Sequence, residues 1–170
     1  MTNGTATTFN ELRQRNREFL DELNRIHEAG HAVVAVRLGV EVFEVFSPFP
    51  SSTEYDLGGC ARSSNVSDED DLLIRFAGAG AEVIFRKVSW TMAFRSAAGG
   101  DWKASQEVID ELALLEPRKQ VVKKAKARVI ALLTEQWENV LAVAAALRDR
   151  RRLSGGELQQ IVASAGKAEP

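Results

Sequence analysis

With 170 residues, 45% of them apolar and 27% charged, the chain can bury one ordinary hydrophobic core, which argues for a single domain over residues 1–170. A net charge of −2 and a pI near 5.8 exclude the basic excess of a general nucleic-acid binder, so no nucleic acid is expected as a partner. A lone cysteine, Cys60, rules out an internal disulfide; no apolar run approaches the ~18 to 20 residues of a membrane span, and the polar start Met1 to Thr8 is no signal peptide, so the chain reads as cytoplasmic.

Thr8-Phe9-Asn10-Glu11 has the spacing of a capping box, and Phe9, Leu12, Phe19, Leu20, Leu23 and Ile26 then recur at helical intervals. This helix, with a break expected near Leu20 to Asn24, runs into residues 27–36 and stops at Gly39. Val40 to Phe46 reads as a strand, Ser47 to Asp56 as a loop rich in proline and serine, and Leu57 to Ala61 as a second strand. Ser67 followed by Asp68-Glu69-Asp70 marks a helix from about Asp68 to Lys87. A less regular stretch ends at Gly99-Gly100, Asp101 opens a helix to about Leu115, and Pro117 begins a long one towards Arg150. Ser154-Gly155-Gly156-Glu157 is a second capping box, for a last helix to about Ser164. Residues 1–8 and 166–170 read as frayed ends. The expected fold class is α+β, mostly helical, with a small β-sheet and a C-terminal helical bundle.

His27-Glu28-Ala29-Gly30-His31 matches H-E-x-x-H. On a helix, residues four apart share a face and lie about 6 Å apart along the axis. Two imidazoles so placed can converge on one ion at Zn–N distances of roughly 2.0 to 2.1 Å. Glu28 is turned aside from that ion and can take a proton from a zinc-bound water, whose pKa falls to about 7. Gly30 leaves the helix surface bare for a close approach. The bland alternative is a pair of packed histidines with Glu28 as a helix former. Both histidines of the chain fall in the motif, within a segment of independent helical periodicity, and zinc is the better reading.

A catalytic zinc takes three protein ligands and keeps one position open. With no third histidine, the remaining ligand is a carboxylate or, less well, Cys60. Asp56, the Asp68 to Asp71 cluster, Glu82 and Asp101 are the candidates. The acidic cluster is better explained by the positive end of a helix dipole. Glu82, in an apolar helix, suits either a ligand or a group that holds one in place. Asp101 reads equally as a ligand and as an N-cap. Cys60 itself reads as a small apolar residue.

At these residues the chain resembles the peptidase domain of the FtsH family of ATP-dependent zinc proteases. The likeness begins at His27 to Ala32, continues through Ala77-Gly78-Ala79-Gly80-Ala81-Glu82-Val83-Ile84-Phe85, and reaches Gly99-Gly100-Asp101-Trp102-Lys103-Ala104. Leu57-Gly58-Gly59 is similar to the short strand beside that family's active site, and Leu141 to Leu147 followed by Leu153 to Leu158 to its closing helices. The resemblance spans roughly Glu22 to Val162. It implies a zincin-like fold, Asp101 as third zinc ligand, and Gly58 and Gly59 beside the substrate. Substrates would be unfolded proteins or peptides, and partners a separate ATP-dependent unfoldase or further copies of the chain. The chain departs from the family in lacking a membrane anchor and a G-x-x-x-x-G-K-[ST] loop, and in the bulk of Trp102.

Two functions follow as expectations. One is a zinc endopeptidase with His27, His31 and Asp101 on Zn²⁺, Glu28 as general base, and substrate extended along the strand near Leu57 to Ala61. The other is a zinc-stabilised module that holds a partner without cutting it. Glu28 favours the enzyme, since a purely structural site has no use for it. Leu153 to Glu157 mimics the signature loop of ABC-type ATPases but is explained by the capped helix. Arg148, Arg150, Arg151 and Arg152 read as cations at a helix C-terminus, and Trp90, Trp102 and Trp137 as core or interface aromatics.

Overall fold

The computed structural model describes residues 9–47, 58–95 and 99–165, which form eight helices and a three-stranded sheet. Helix α1 runs from Phe9 to Arg37 without the break expected near Leu20 to Asn24. That stretch has neither glycine nor proline, and Asp21 is tied to Arg25 one turn on and to Arg151 from the far end of the chain. The capping residue Thr8 lies outside the described residues. Residues 9–20 are exposed, and burial begins at Asp21. The helix stops where expected. Gly39 takes φ 75°, its N–H bonds the Val36 carbonyl at 3.0 Å, and the Val40 N–H bonds the Ala35 carbonyl at 2.9 Å. Because Val40 is spent on this cap, strand β1 starts later than expected and covers Val42–Phe46.

β1 is the middle strand. It pairs antiparallel with β2, Gly59–Arg62, and with β3, Arg152–Ser154, in the order β2-β1-β3. Val45 faces Cys60 on one side and Leu153 on the other. The sequence predicts no strand at β3, which is only three residues long. It forms because Arg151, at φ 63°, turns the chain sharply out of the preceding helix, and because Leu153 is fully buried beside Val45. Most of the loop expected from Ser47 to Asp56 lies outside the described residues.

Helix α2, Asp68–Arg86, begins as expected with the Ser67 hydroxyl accepting from the Asp70 N–H at 3.2 Å. Its residues Leu72, Leu73, Phe76 to Ala81 and Glu82 are buried, and it runs through the centre of the domain. α1 and α2 touch through small residues. A Cβ on Gly30 would meet the Ala77 carbonyl oxygen at 2.7 Å and Ala81 Cβ at 2.8 Å, so the two backbones can lie this close only without one.

Four expectations for the second half need correction. The irregular stretch contains helix α3, Trp90–Arg95. The helix expected from Asp101 to Leu115 starts at Gly99 and is two, α4 (Gly99–Ala104) and α5 (Gln106–Leu112). Ser105 divides them, its hydroxyl sharing the Asp101 carbonyl, at 2.6 Å, with its own N–H at 2.9 Å. The long helix towards Arg150 is also two, α6 (Arg118–Glu135) and α7 (Trp137–Arg150), bent by 75° at Gln136. The bend lets α6 lie along α2 while α7 lies along α1. Pro117 is the N-cap of α6 rather than its first residue.

Helix α8, Gly155–Ala165, carries the expected capping box. The Ser154 N–H and hydroxyl bond the Glu157 carboxylate at 2.8 and 2.7 Å, and the Glu157 N–H returns to the Ser154 hydroxyl at 3.4 Å. Phe76, Leu133, Leu147, Leu153 and Leu158 are among the fully buried side chains that close the core. Trp90 and Trp102 pack with Phe76 and Phe94, ring centroids 4.9 to 6.1 Å apart. Arg150, Arg151 and Arg152 pair with Glu157, Asp21 and Glu44. Among the described residues no single helix is long and apolar enough to cross a membrane.

Candidate metal centre

α1 carries His27 and His31 one turn apart, both buried, with ring centroids 4.8 Å apart and planes at 75°. Each ring is held from behind by α2. His31 Nδ1 lies 2.7 Å from the Ile74 carbonyl oxygen, which can only accept, so the partner assigns the ring proton to Nδ1. His27 Nδ1 lies 2.9 Å from Oε1 of the fully buried Glu82. With both Nδ1 positions occupied as donors, the two Nε2 atoms turn to a common point, 3.1 Å from each other. Asp101, in the first turn of α4, brings Oδ2 to 2.9 Å from His27 Nε2 and 3.3 Å from His31 Nε2. The N-cap role open to Asp101 is not taken, because α4 starts two residues before it.

Three electron-pair donors thus face one another, two of them buried and the third, Asp101, partly so. Such a cluster is stable only if a proton or a cation sits within it. The titration of the residues says the same. Burial opposes charge on His27, but the hydrogen bonds to Asp101 and Glu82 and the charge of Glu28 outweigh it and raise the pKa from 6.5 to about 10. Burial would also favour neutral Asp101, yet hydrogen bonds from His27 and His31 hold its carboxyl well below the usual carboxylate range.

The three residues fit a metal ion. Donors bound about 2.1 Å from an ion in tetrahedral directions stand roughly 3.4 Å apart. The observed separations, 2.9 to 3.3 Å, need only a small opening. Room for the ion comes from Gly78. A Cβ there would come within 2.5 Å of His31 Nε2 and nearer still to His27 Nε2, so the bare α-carbon leaves open the place where the donors converge. His27, His31 and Asp101 can hold a metal ion here.

The other candidates fall into place around this cluster. Glu82 stands behind His27 and does not face the converging donors. Glu28 is buried on the groove side of α1, against Gly58, where a Cβ would meet Glu28 Cδ at 2.7 Å. Burial pushes the Glu28 carboxyl upward, and the charges of His31 and His27 pull it back in part. It has no hydrogen-bond partner among the described residues. A Cβ on Gly59 would meet the Phe46 ring at 2.8 Å. Burial and the neighbouring Glu28 push the Cys60 thiol up to about 12, and Cys60 is not among the converging donors. Asp71 is bound to Arg62 and Arg75, and Asp56 lies outside the described residues.

A groove of about 850 Å³ leads away from the cluster, bounded by β2 on one side and by α2 on the other. Among the described residues β2 is an edge strand, with β1 on one side. Gly78 and the Ile74 carbonyl did not emerge from the sequence as site features. Their signal is positional: residues 74, 78 and 82 follow at intervals of four and share the face of α2 beneath the histidines. No protein-family model matches this chain, and no curated protein shows significant similarity to it.

Proposed function

We propose that this chain is a zinc-dependent endopeptidase, with a zincin-like site of the kind its resemblance to the FtsH peptidase domain implies. One observation carries the reading: His27, His31 and Asp101 converge on one point while Glu28 stands beside them with no hydrogen-bond partner among the described residues. Two imidazoles and a carboxylate are a donor set suited to zinc, and three ligands leave the fourth position open. Bound zinc supplies Lewis acidity, polarising a carbonyl and acidifying a water molecule.

The chain's own groups do the rest. His27 and His31 bind through Nε2, with Glu82 and Ile74 fixing their orientation. Glu28 takes the proton of the attacking water at a carboxylate oxygen and hands it to the departing amine. Its raised pKa suits a group that must hold a proton between those events. The substrate lies extended in the groove and adds to the edge of β2 that pairs with no described strand. Flexible peptides and unfolded proteins meet that requirement, with a separate ATP-dependent unfoldase as the partner for folded ones.

The test compares metal content and cleavage of casein for wild type and Glu28→Gln. Zinc in both proteins with cleavage by wild type alone supports the peptidase. Zinc in both with no cleavage of casein or of a broad peptide library overturns it in favour of the zinc-stabilised holding module.

A further inference from the structure

The groove contains a cation that neither the metal centre nor the core uses. Arg75 lies on the α2 face that carries Gly78 and Glu82, and it lines the groove together with Arg62 of β2. Asp71, one turn earlier on that face, accepts from Arg75 Nε at 2.7 Å and also from Arg62 Nη2. Arg62 Nη1 is taken by the Ser63 carbonyl at 3.1 Å. One carboxylate therefore serves two guanidinium groups, and the trio carries a surplus positive charge. The Arg62 side chain is 15% exposed and that of Arg75 is 32% exposed, so Arg75 is the one a ligand can reach. Asp71 engages it through Nε, which leaves both terminal nitrogens without a partner among the described residues.

The position of Arg75 matters as much as its charge. Its α-carbon precedes that of Gly78 by three residues and the Asp71 carboxylate that draws the guanidinium back belongs to a residue seven before Gly78, so the guanidinium stands between about 4.5 and 10.5 Å from Gly78 along the helix axis. An extended peptide advances about 3.4 Å per residue, so the guanidinium lies within about three substrate residues of the metal. Asp68 also lines the groove but stands ten residues from Gly78, about 15 Å away along α2, at the groove's outer end.

We propose that Arg75, held in orientation by Asp71, is an anion subsite that receives a substrate carboxylate within about three residues of the bond that is cut. The proposal rests on the peptidase reading. Two parallel N–H groups on a fixed planar fork match a carboxylate and nothing neutral as well. The carboxylate belongs to an Asp or Glu side chain or to a free C-terminus, and the two sources share this chemistry.

Fluorogenic peptides with Glu, Gln or Lys at each of three positions on either side of the cut bond test it, with zinc-loaded protein. A parallel set ends within three residues of that bond in a free carboxylate or an amide. At one position wild type should prefer the carboxylate over its neutral counterpart by at least about tenfold in kcat/KM. Whether the side-chain set or the terminal set shows this identifies the source. In Arg75→Gln the ratio should fall to about one, in Arg75→Lys part of it should survive, and in Arg75→Glu it should turn in favour of Lys at the same position. Ratios within about twofold everywhere in wild type, or a preference that survives Arg75→Gln, overturn the subsite while leaving peptidase activity standing. If wild type cuts no peptide, the peptidase reading has failed. The same peptide pairs are then compared for binding to zinc-loaded Glu28→Gln by fluorescence polarisation. A carboxylate preference that disappears on adding Arg75→Gln retains the subsite, and equal binding of the pairs overturns it.

Discussion

Gly78 on α2 faces the Nε2 atoms of both His27 and His31, with no atom of its own where their lone pairs converge. A methyl group at this position would compete with a metal ion for one space. Gly78→Ala is therefore expected to weaken metal binding. Overpacking of this kind costs about 1 to 3 kcal/mol, which in affinity is roughly five- to 150-fold. Metal content after dialysis, read beside the far-ultraviolet circular dichroism of the same sample, checks it. Full metal retention by a folded Gly78→Ala protein contradicts the geometry.

Gly58 plays a different part, since a Cβ there meets the Glu28 carboxylate and not the histidines. Gly58→Ala should leave metal content intact and displace the carboxylate. A displacement of about 1 Å at a reacting group lowers turnover by about a hundredfold. The decisive measurement is kcat at full metal occupancy. An unchanged kcat would mean that Glu28 does not act where we place it.

Glu82 is fully buried behind His27 and lies 2.9 Å from its Nδ1. Glu82→Gln keeps the shape and removes the charge that orients the ring. Metal affinity should fall by about 10- to 100-fold, with the metal still bound through the same three residues. Competition against a chromogenic chelator measures this. An affinity equal to wild type would show that the Glu82 contact does nothing for the site.

The pH dependence follows from His27, whose pKa is raised from 6.5 to about 10 because Asp101 and Glu82 outweigh burial. A base raised in this way contributes stability that is present in full below the ordinary value and is lost as pH climbs through about 10. The metal-free protein should therefore lose Tm as pH rises from 6.5 towards 10. The metal-loaded protein should not, since no proton occupies Nε2 there. Binding displaces one proton in this window, so metal affinity should rise by about tenfold per pH unit. Melting curves with chelator and with metal, taken across the window, test both statements. A metal-free Tm that holds steady or rises is the contrary result.

Local interactions were readable in the sequence because the chain encodes them within a few residues. His27 and His31 share a face by helical period alone, Gly39 ends α1 by its φ of 75°, and Ser67 and Ser154 cap helices a few residues on. The choice between Glu82 and Asp101 was not readable in this way, because each is a carboxylate within a helix and both lie against His27. Only tertiary structure separates them, since packing of α2 brings Glu82 to Nδ1 and the turn of α4 brings Asp101 to Nε2. The strand β3 and the 75° bend at Gln136 have the same origin. Both are set by what Leu153, α6 and α7 meet across the core, and partners distant in sequence leave no periodic trace in a single chain.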